Sequence, residues 1–373
     1  MKNVVVLGAG MVGRVIALDL ASDFNVTAVD VSPGNLAKLG GTAVATRQAD
    51  LSSPAAIRSA VAAADLVVGA VPGSMGFATL RETIAAGKNA VDISFFPEDA
   101  LALDEAARAA GVTAVVDCGV APGMDNLILG YHAARMTVRR FACYVGGLPF
   151  RREFPFEYKA PFSPADVIEE YTRPARYVEN GHVVVRPALS DVEHLDFPEI
   201  GTLEAFNSDG LRSLLTTMAV PNMIEKTLRY PGHVEHIRAL RDSGFFGTGE
   251  IDVRGSKVRP LDVTSAILFK HWHLHEDDDE FTIMRIIVEG LAGGRPRRVQ
   301  CDLFDRRDRK TGFSSMARTT GFPAAAAARL ALAGRLGRKG VLPPELLGAD
   351  EGAFRAVMAD LAARGVIYRT TES

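Results

Sequence analysis

The sequence predicts an α/β protein: an N-terminal parallel sheet with crossover helices, then an α+β unit with a mixed sheet, then C-terminal helices that fold back. Three observations predict it. Residues 2 to 30 run as apolar strand, glycine turn, apolar helix and second apolar strand. Short apolar runs and helical stretches then alternate to Val116, the grammar of parallel strands joined by crossovers. Beyond Cys118 the alternation gives way to β-like runs separated by loops rich in Pro and Arg.

The first element, Lys2 to Leu7, is Val-rich and reads as a strand buried on both faces. GAGMVG follows, with Gly8, Gly10 and Gly13 in G-x-G-x-x-G spacing. In that pattern Gly8 turns the chain, Gly10 lets backbone approach a pyrophosphate, and Gly13 lets the helix pack on the sheet. The helix VIALDLA offers free N–H groups at its start, and Met11 and Val12 sit there beside the phosphates. The second strand, Asn25 to Val29, ends on Asp30, where a carboxylate accepts hydrogen bonds from ribose hydroxyls. A 2′-phosphate would be repelled there, and Val31, Ser32 and Pro33 bring no Arg, so NAD is expected over NADP. These features define a Rossmann unit.

Further strands are expected at Ala43 to Ala45, Leu66 to Val71, Ala90 to Ile93 and Thr113 to Val116. Helices are expected at Asn35 to Leu39, from Ser52 through Ala64, at Phe77 to Gly87 and at Ala100 to Ala110. Strand ends should form the crevice, with Asp50 and Leu51 near the adenine and Val71 and Pro72 near the nicotinamide. In the second unit, helices are expected over Leu127 to Arg135, 210 to 229 (interrupted at Pro221) and 232 to 242. Strands are expected at Arg139 to Val145, His182 to Val185, Ile251 to Val253 and Phe281 to Glu289. From Ser314 onward the chain reads as helical again, with AAAAARLALAG, between Pro323 and Gly334, and Ala353 to Ala363 as helices of an apolar tail. The expected division is 1–121 for the dinucleotide domain, 122–312 for a substrate domain (also the dimerisation domain on the family resemblance given below), and 313–373 for helices returning to the first domain.

The net charge of -3 argues against a nucleic-acid partner. The three cysteines, Cys118, Cys143 and Cys301, are too scattered for a disulfide or thiolate-metal framework. With no long apolar span, a cytoplasmic protein without membrane contact is expected. His271, His273 and His275 alternate before a run of acids and would share one face of an edge strand, but spacing along an extended chain gives no reason to expect zinc. Arg295, Arg297, Arg298, Arg306, Arg307, Arg309 and Lys310 are interrupted by acids and read as a solvated face.

Several stretches together resemble the saccharopine dehydrogenase family: VDIS at Val91 to Ser94, GVAPGMDN at Gly119 to Asn126, YVGGLP at Tyr144 to Pro149 and FEYKAPFSP at Phe156 to Pro164. TRPARYVENG at Thr172 to Gly181, EAFNSDG at Glu204 to Gly210 and TLRYPGH at Thr227 to His233 extend the likeness over nearly the whole chain. The resemblance implies an NAD(P)-linked homo-oligomer, dimer or tetramer, acting on a carbon–nitrogen bond of a small amino-acid substrate. Its saccharopine reductases typically carry Asp before the Pro-Gly and His after the later Asp, where this chain has Ala121 and Asn126. That departure favours the lysine 6-dehydrogenase branch, oxidising the ε-amine of L-lysine. The alternatives are a saccharopine-type or carboxynorspermidine-type imine reductase, or a non-catalytic NAD-binding sensor.

Oxidising an amine carbon calls for a proton acceptor and for charge partners of the amino acid. Arg173 and Arg176 are the expected carboxylate clamp, with Arg229, Asn126 and Glu204 as further substrate contacts. His233 is the expected acid–base residue, with Asp125, Tyr158 and Lys159 as the other catalytic candidates.

Overall fold

The computed structural model describes residues 1–275 and 277–373. Its first layer is a seven-stranded, wholly parallel sheet. The order is Gly340–Leu342, Thr113–Val115, Asn89–Asp92, Leu66–Gly69, Asn3–Leu7, Asn25–Asp30, Ala45–Gln48. Val4, Val6, Leu7, Leu66 and Val68 are completely buried, as strands covered on both faces require. The chain adds strands outward on one side of Asn3–Leu7, then crosses to the other side at Leu66–Gly69. That reversal opens a crevice at the carboxyl ends of the two central strands.

The second layer is a nine-stranded mixed sheet. Its path is Glu193–Phe197, Gly201–Asn207, Met223–Arg229, Thr137–Pro149, Glu280–Ala292, Arg295–Arg306, Tyr368–Glu372. The hairpin Ala175–Glu179 and His182–Arg186 attaches beside Met223–Arg229. One pair in it is parallel, Met223–Arg229 with Thr137–Pro149, which places Glu225 opposite Cys143 and Thr227 opposite Val145.

Several local expectations are corrected. Residues 210 to 229 are not a helix: a single turn at Leu214–Thr217 is followed, beyond Pro221, by the strand Met223–Arg229. Pairing on both sides of that strand overrides its helical composition. The tail helix runs from Ser315 to Leu332, in keeping with the helical reading from Ser314 onward, and Ser314 caps it by accepting from the Ala317 N–H. Its run Ala324–Ala328 is buried, and Gly321 brings it against Val12 and Ile16 of the helix Met11–Leu20. Gly340–Leu342 joins the first sheet, whereas Tyr368–Glu372 ends the chain in the second. The tail therefore binds both layers.

The alternate histidines do not share a strand. His271 ends the helix Pro260–His271, and His273 makes an isolated bridge to Ala160. Glu276, at the start of the expected acidic turn, lies outside the described residues. Among the described residues no His, Cys, Asp or Glu group is arranged to hold a metal, and no helix is long and apolar enough to cross a membrane. Arg297 and Arg298 of the basic run pair with Glu372 and Glu289 at the sheet surface.

Candidate active site

The two layers enclose a cavity of about 600 Å³ at the carboxyl ends of the first sheet. One half is backbone. Gly8 has φ +99°, and a Cβ there would overlap the Ala70 carbonyl; a Cβ on Gly13 would overlap the Gly8 carbonyl. A Cβ on Gly10 would meet nothing within 4 Å, so the space over that turn is open. Gly10 caps the helix Met11–Leu20 without a side-chain bond, leaving its first N–H groups for an anion. Asp30 is oriented by three donors: Ala9 N at 2.7 Å, Ser32 N at 2.7 Å and Asn35 Nδ2 at 3.3 Å. The open cradle and this carboxylate fit a nicotinamide dinucleotide, with Asp30 favouring NAD. Met11, Val12, Asp50, Leu51, Val71 and Pro72 line the same half.

The other half is charged side chains. Alternate residues of Met223–Arg229 face one way, so Glu225, Thr227 and Arg229 form a column on the cavity wall. Thr227 donates to Ser208 Oγ at 2.9 Å. The helix Pro164–Thr172, capped by Ser163, brings Asp166, Glu169 and Glu170, and Arg173 follows at its end. Arg229 is only 2% exposed yet well paired. It donates to Glu170 Oε2 at 3.0 Å and Tyr171 Oη at 3.1 Å, and lies 4.3 Å from the Tyr158 ring centre. Arg173 pairs with Glu169 at 3.1 Å and covers Phe95, while its buried Nη1 has no protein acceptor.

A third arginine ties the layers together. Arg212 pairs with Asp117 at 3.1 Å, with their side chains 4% and 3% exposed, and also donates to the Phe96 carbonyl. Both residues hold left-handed backbone, φ 50° and 49°. Nearby Asp92, buried at a strand end, is pushed up to about 7 by loss of solvent.

All ten of the expected cofactor residues line the cavity; of the expected substrate residues, Arg173 and Arg229 do. The other predicted substrate and catalytic residues do not line it. His233 is held by Tyr171 Oη and the Phe156 carbonyl, each at 2.9 Å, and burial, then Arg229, depress it to about 3. A histidine so placed stays neutral and is no acid–base group. Tyr158 is buried beneath Arg229, and Lys159 pairs with Glu153 at 3.4 Å. Arg176 grips Asp209 through Nε at 2.9 Å and Nη2 at 2.8 Å, so it fixes a lining carboxylate instead of meeting substrate. Asn126 donates to Glu345 at 3.1 Å. Glu204 accepts from Gly232 N and Val234 N, capping the helix His233–Asp242. Asp125 is completely buried beside the Glu225 carboxyl.

Glu225, Asp166, Glu170, Ser208 and Thr227 escape the sequence reading. The available signal was the period-two polarity of Glu225, Thr227 and Arg229, hidden when that stretch is read as helix.

A dinucleotide cradle facing a charged pocket is the site of a nicotinamide-dinucleotide-binding protein. Residues 4–115 match the saccharopine dehydrogenase NADP binding domain, and residues 119–366 match the saccharopine dehydrogenase C-terminal domain. The chain belongs to the saccharopine dehydrogenase family. It is 28% identical to the saccharopine dehydrogenase (NADP(+), L-glutamate-forming) of Pyricularia oryzae over 67% of this chain and 59% of that one. It is 22% identical to the carboxyaminopropylagmatine dehydrogenase of Synechocystis over 94% of both. Among solved structures, the saccharopine dehydrogenase (L-Glu forming) of Saccharomyces cerevisiae superposes over 100% of both chains with TM-score 0.79 at 21% identity, a likeness of fold. The chain spans between about half and 59% of the first curated relatives it matches.

Proposed function

We propose that the chain is an imine reductase of the saccharopine type. It reduces the C=N bond formed between an amino acid's nitrogen and an aldehyde carbon, and in reverse oxidises the resulting secondary amine. The reading rests on one observation: two guanidinium groups, Arg173 and Arg229, and the carboxylates Asp166, Glu169, Glu170, Asp209 and Glu225 line one cavity with the glycine turn. Such a lining suits a substrate carrying carboxylate and amine charges together. Arg173, with an unpaired buried Nη1, is the proposed carboxylate ligand. L-lysine, favoured by Ala121 and Asn126 alone, gives way to this alternative. The relatives include a saccharopine and a carboxyaminopropylagmatine dehydrogenase, and Asn126 is spent on Glu345 away from the cavity.

The test follows NADH absorbance with purified chain, comparing L-lysine plus NAD against L-glutamate mixed with amino-aldehydes plus NADH. Saccharopine with NAD or NADP probes the reverse direction. Consumption of NADH only with the mixtures supports the proposal; turnover confined to lysine overturns it.

A further inference from the structure

Most acids of the cavity are committed to a cation or to backbone N–H groups. Asp209 takes Arg176, Glu169 takes Arg173, Glu170 takes Arg229 and Asp117 takes Arg212. Asp30 and Asp50 accept from backbone N–H groups, and Asp166 accepts from Ser163 and the Gly73 N–H. Glu225 has none of these. It faces the completely buried Asp125, and both Glu225 Oε2 and Asp125 Oδ2 are buried without a donor from elsewhere. Two carboxylate oxygens turned toward each other repel unless a proton lies between them.

We propose that Glu225 and Asp125 hold one proton between them, and that Glu225 exchanges it with the nitrogen of the bond being reduced or oxidised. This rests on the reductase reading above. Glu225 is the exchanging member because it lines the cavity, whereas Asp125, anchored by the Gly123 N–H at 2.9 Å, stands behind it. Asp125 is a positioning residue.

The surroundings keep the proton in place. The helix Met124–Ala133 contributes Asp125, the strand Thr137–Pro149 contributes Cys143, the turn before Gly210 contributes Asp209, and the helix Pro164–Thr172 contributes Glu170. All are acids or neutral. Tyr368 approaches Asp125 from the C-terminal strand and is itself buried and neutral. On Met223–Arg229, the strand of Glu225 itself, Arg229 is engaged by Glu170 and two tyrosines, and Lys226 turns to Glu193 and the Asp191 carbonyl. Gly210 packs so tightly on the Glu225 carboxyl that a Cβ there would overlap it. Burial first, and Asp125 next, raise Glu225 well above the ordinary carboxylate range; Asp125 is raised too, chiefly by burial.

The step balances. In reduction the imine carbon receives hydride with its electron pair from a reduced nicotinamide, and the C=N π pair becomes the nitrogen lone pair. The Glu225 proton goes to that nitrogen, giving a secondary amine, and solvent returns a proton to the carboxyl pair. In oxidation the same step runs backward: Glu225, ionised, takes the N–H proton of the secondary amine, the nitrogen pair re-forms the C=N bond, and hydride leaves the carbon for the oxidised nicotinamide.

The test uses the full chain as wild type, Glu225→Gln and Asp125→Asn. Carbon-13 NMR titration of the side-chain carboxyls in the cofactor-free protein reads the proton directly. We expect a glutamate carboxyl titrating well above its ordinary range in the wild type, absent in Glu225→Gln and shifted to lower pH in Asp125→Asn. With L-glutamate and amino-aldehyde mixtures, Glu225→Gln should lose roughly a hundredfold or more in kcat while keeping NADH affinity and thermal stability. Asp125→Asn should keep more activity and move the pH limb of kcat downward. Two carboxyls both ionised at neutral pH, or a Glu225→Gln protein within about twofold of an active wild type, overturn the inference. A wild type that binds NADH but spends none on any mixture sinks the reductase reading and the catalytic role, while the titration still decides the shared proton.

Discussion

The two halves of the cavity are made of different materials. The cofactor half is backbone: a glycine turn, a helix start and the ends of strands that follow one another along the first 72 residues. The substrate half is side-chain charge gathered from the helix Pro164–Thr172, the turn at Ser208–Gly210 and the strand Met223–Arg229. Backbone sites tolerate no change of shape; charge sites tolerate no change of partner. Substitutions in the two halves should therefore fail in different ways.

The largest effect is expected where the halves meet. Arg212→Met strands the Asp117 carboxylate without its cation in a dry site and should cost about 3–5 kcal/mol in urea unfolding. A loss under about 1 kcal/mol would mean that the pair is solvated like a surface bridge.

His233 tests the charged half through pH. Its folded value, about 3, lies below the ordinary 6.5, so the unfolded chain binds the extra proton between those limits. Wild-type stability should fall relative to His233→Gln as pH drops from 6.5 toward 3, with a slope up to about 1.4 kcal/mol per pH unit. Parallel stability curves would show a solvated imidazole.

Two glycines sharpen the backbone half. Gly8→Ala forces a Cβ onto the Ala70 carbonyl at φ +99° and should destabilise the fold by about 1–3 kcal/mol. Gly10→Ala meets no protein atom, so stability should hold within about 0.5 kcal/mol. Its NADH affinity, read by calorimetry, should still drop about tenfold, near 1.4 kcal/mol. Unchanged NADH binding in Gly10→Ala would remove the pyrophosphate from that turn. The smallest effect is expected for Arg173→Lys, with KM rising severalfold at unchanged kcat in steady-state assays, because a point charge replaces a fork.

The same contrast explains what could be read from the amino acids alone. Gly8, Gly10, Gly13 and Asp30 act through local geometry, and their spacing carries the information. Arg173 and Arg229 were legible as cations near a cleft, but their partners Glu169 and Glu170 were not. His233 and Asn126 carried the right chemistry for a site, yet Tyr171 and the Phe156 carbonyl claim the one and Glu345 the other. Glu225 was lost because pairing with Thr137–Pro149 and Gly201–Asn207 makes a strand of a segment with helical composition. Its meeting with Asp125, a hundred residues earlier in sequence, is a product of topology.

The central claim is that hydride crosses between the glycine-turn half and a carbon–nitrogen bond held over Glu225. The direct measurement gives the purified chain NADH deuterated at C4 with L-glutamate and an amino-aldehyde, then locates the label by mass spectrometry. Deuterium on the carbon joined to the new amine nitrogen, with the yield collapsing in Glu225→Gln, is the predicted result. Bound NADH that keeps its deuterium, with either stereochemistry of label and every aldehyde tried, would contradict it.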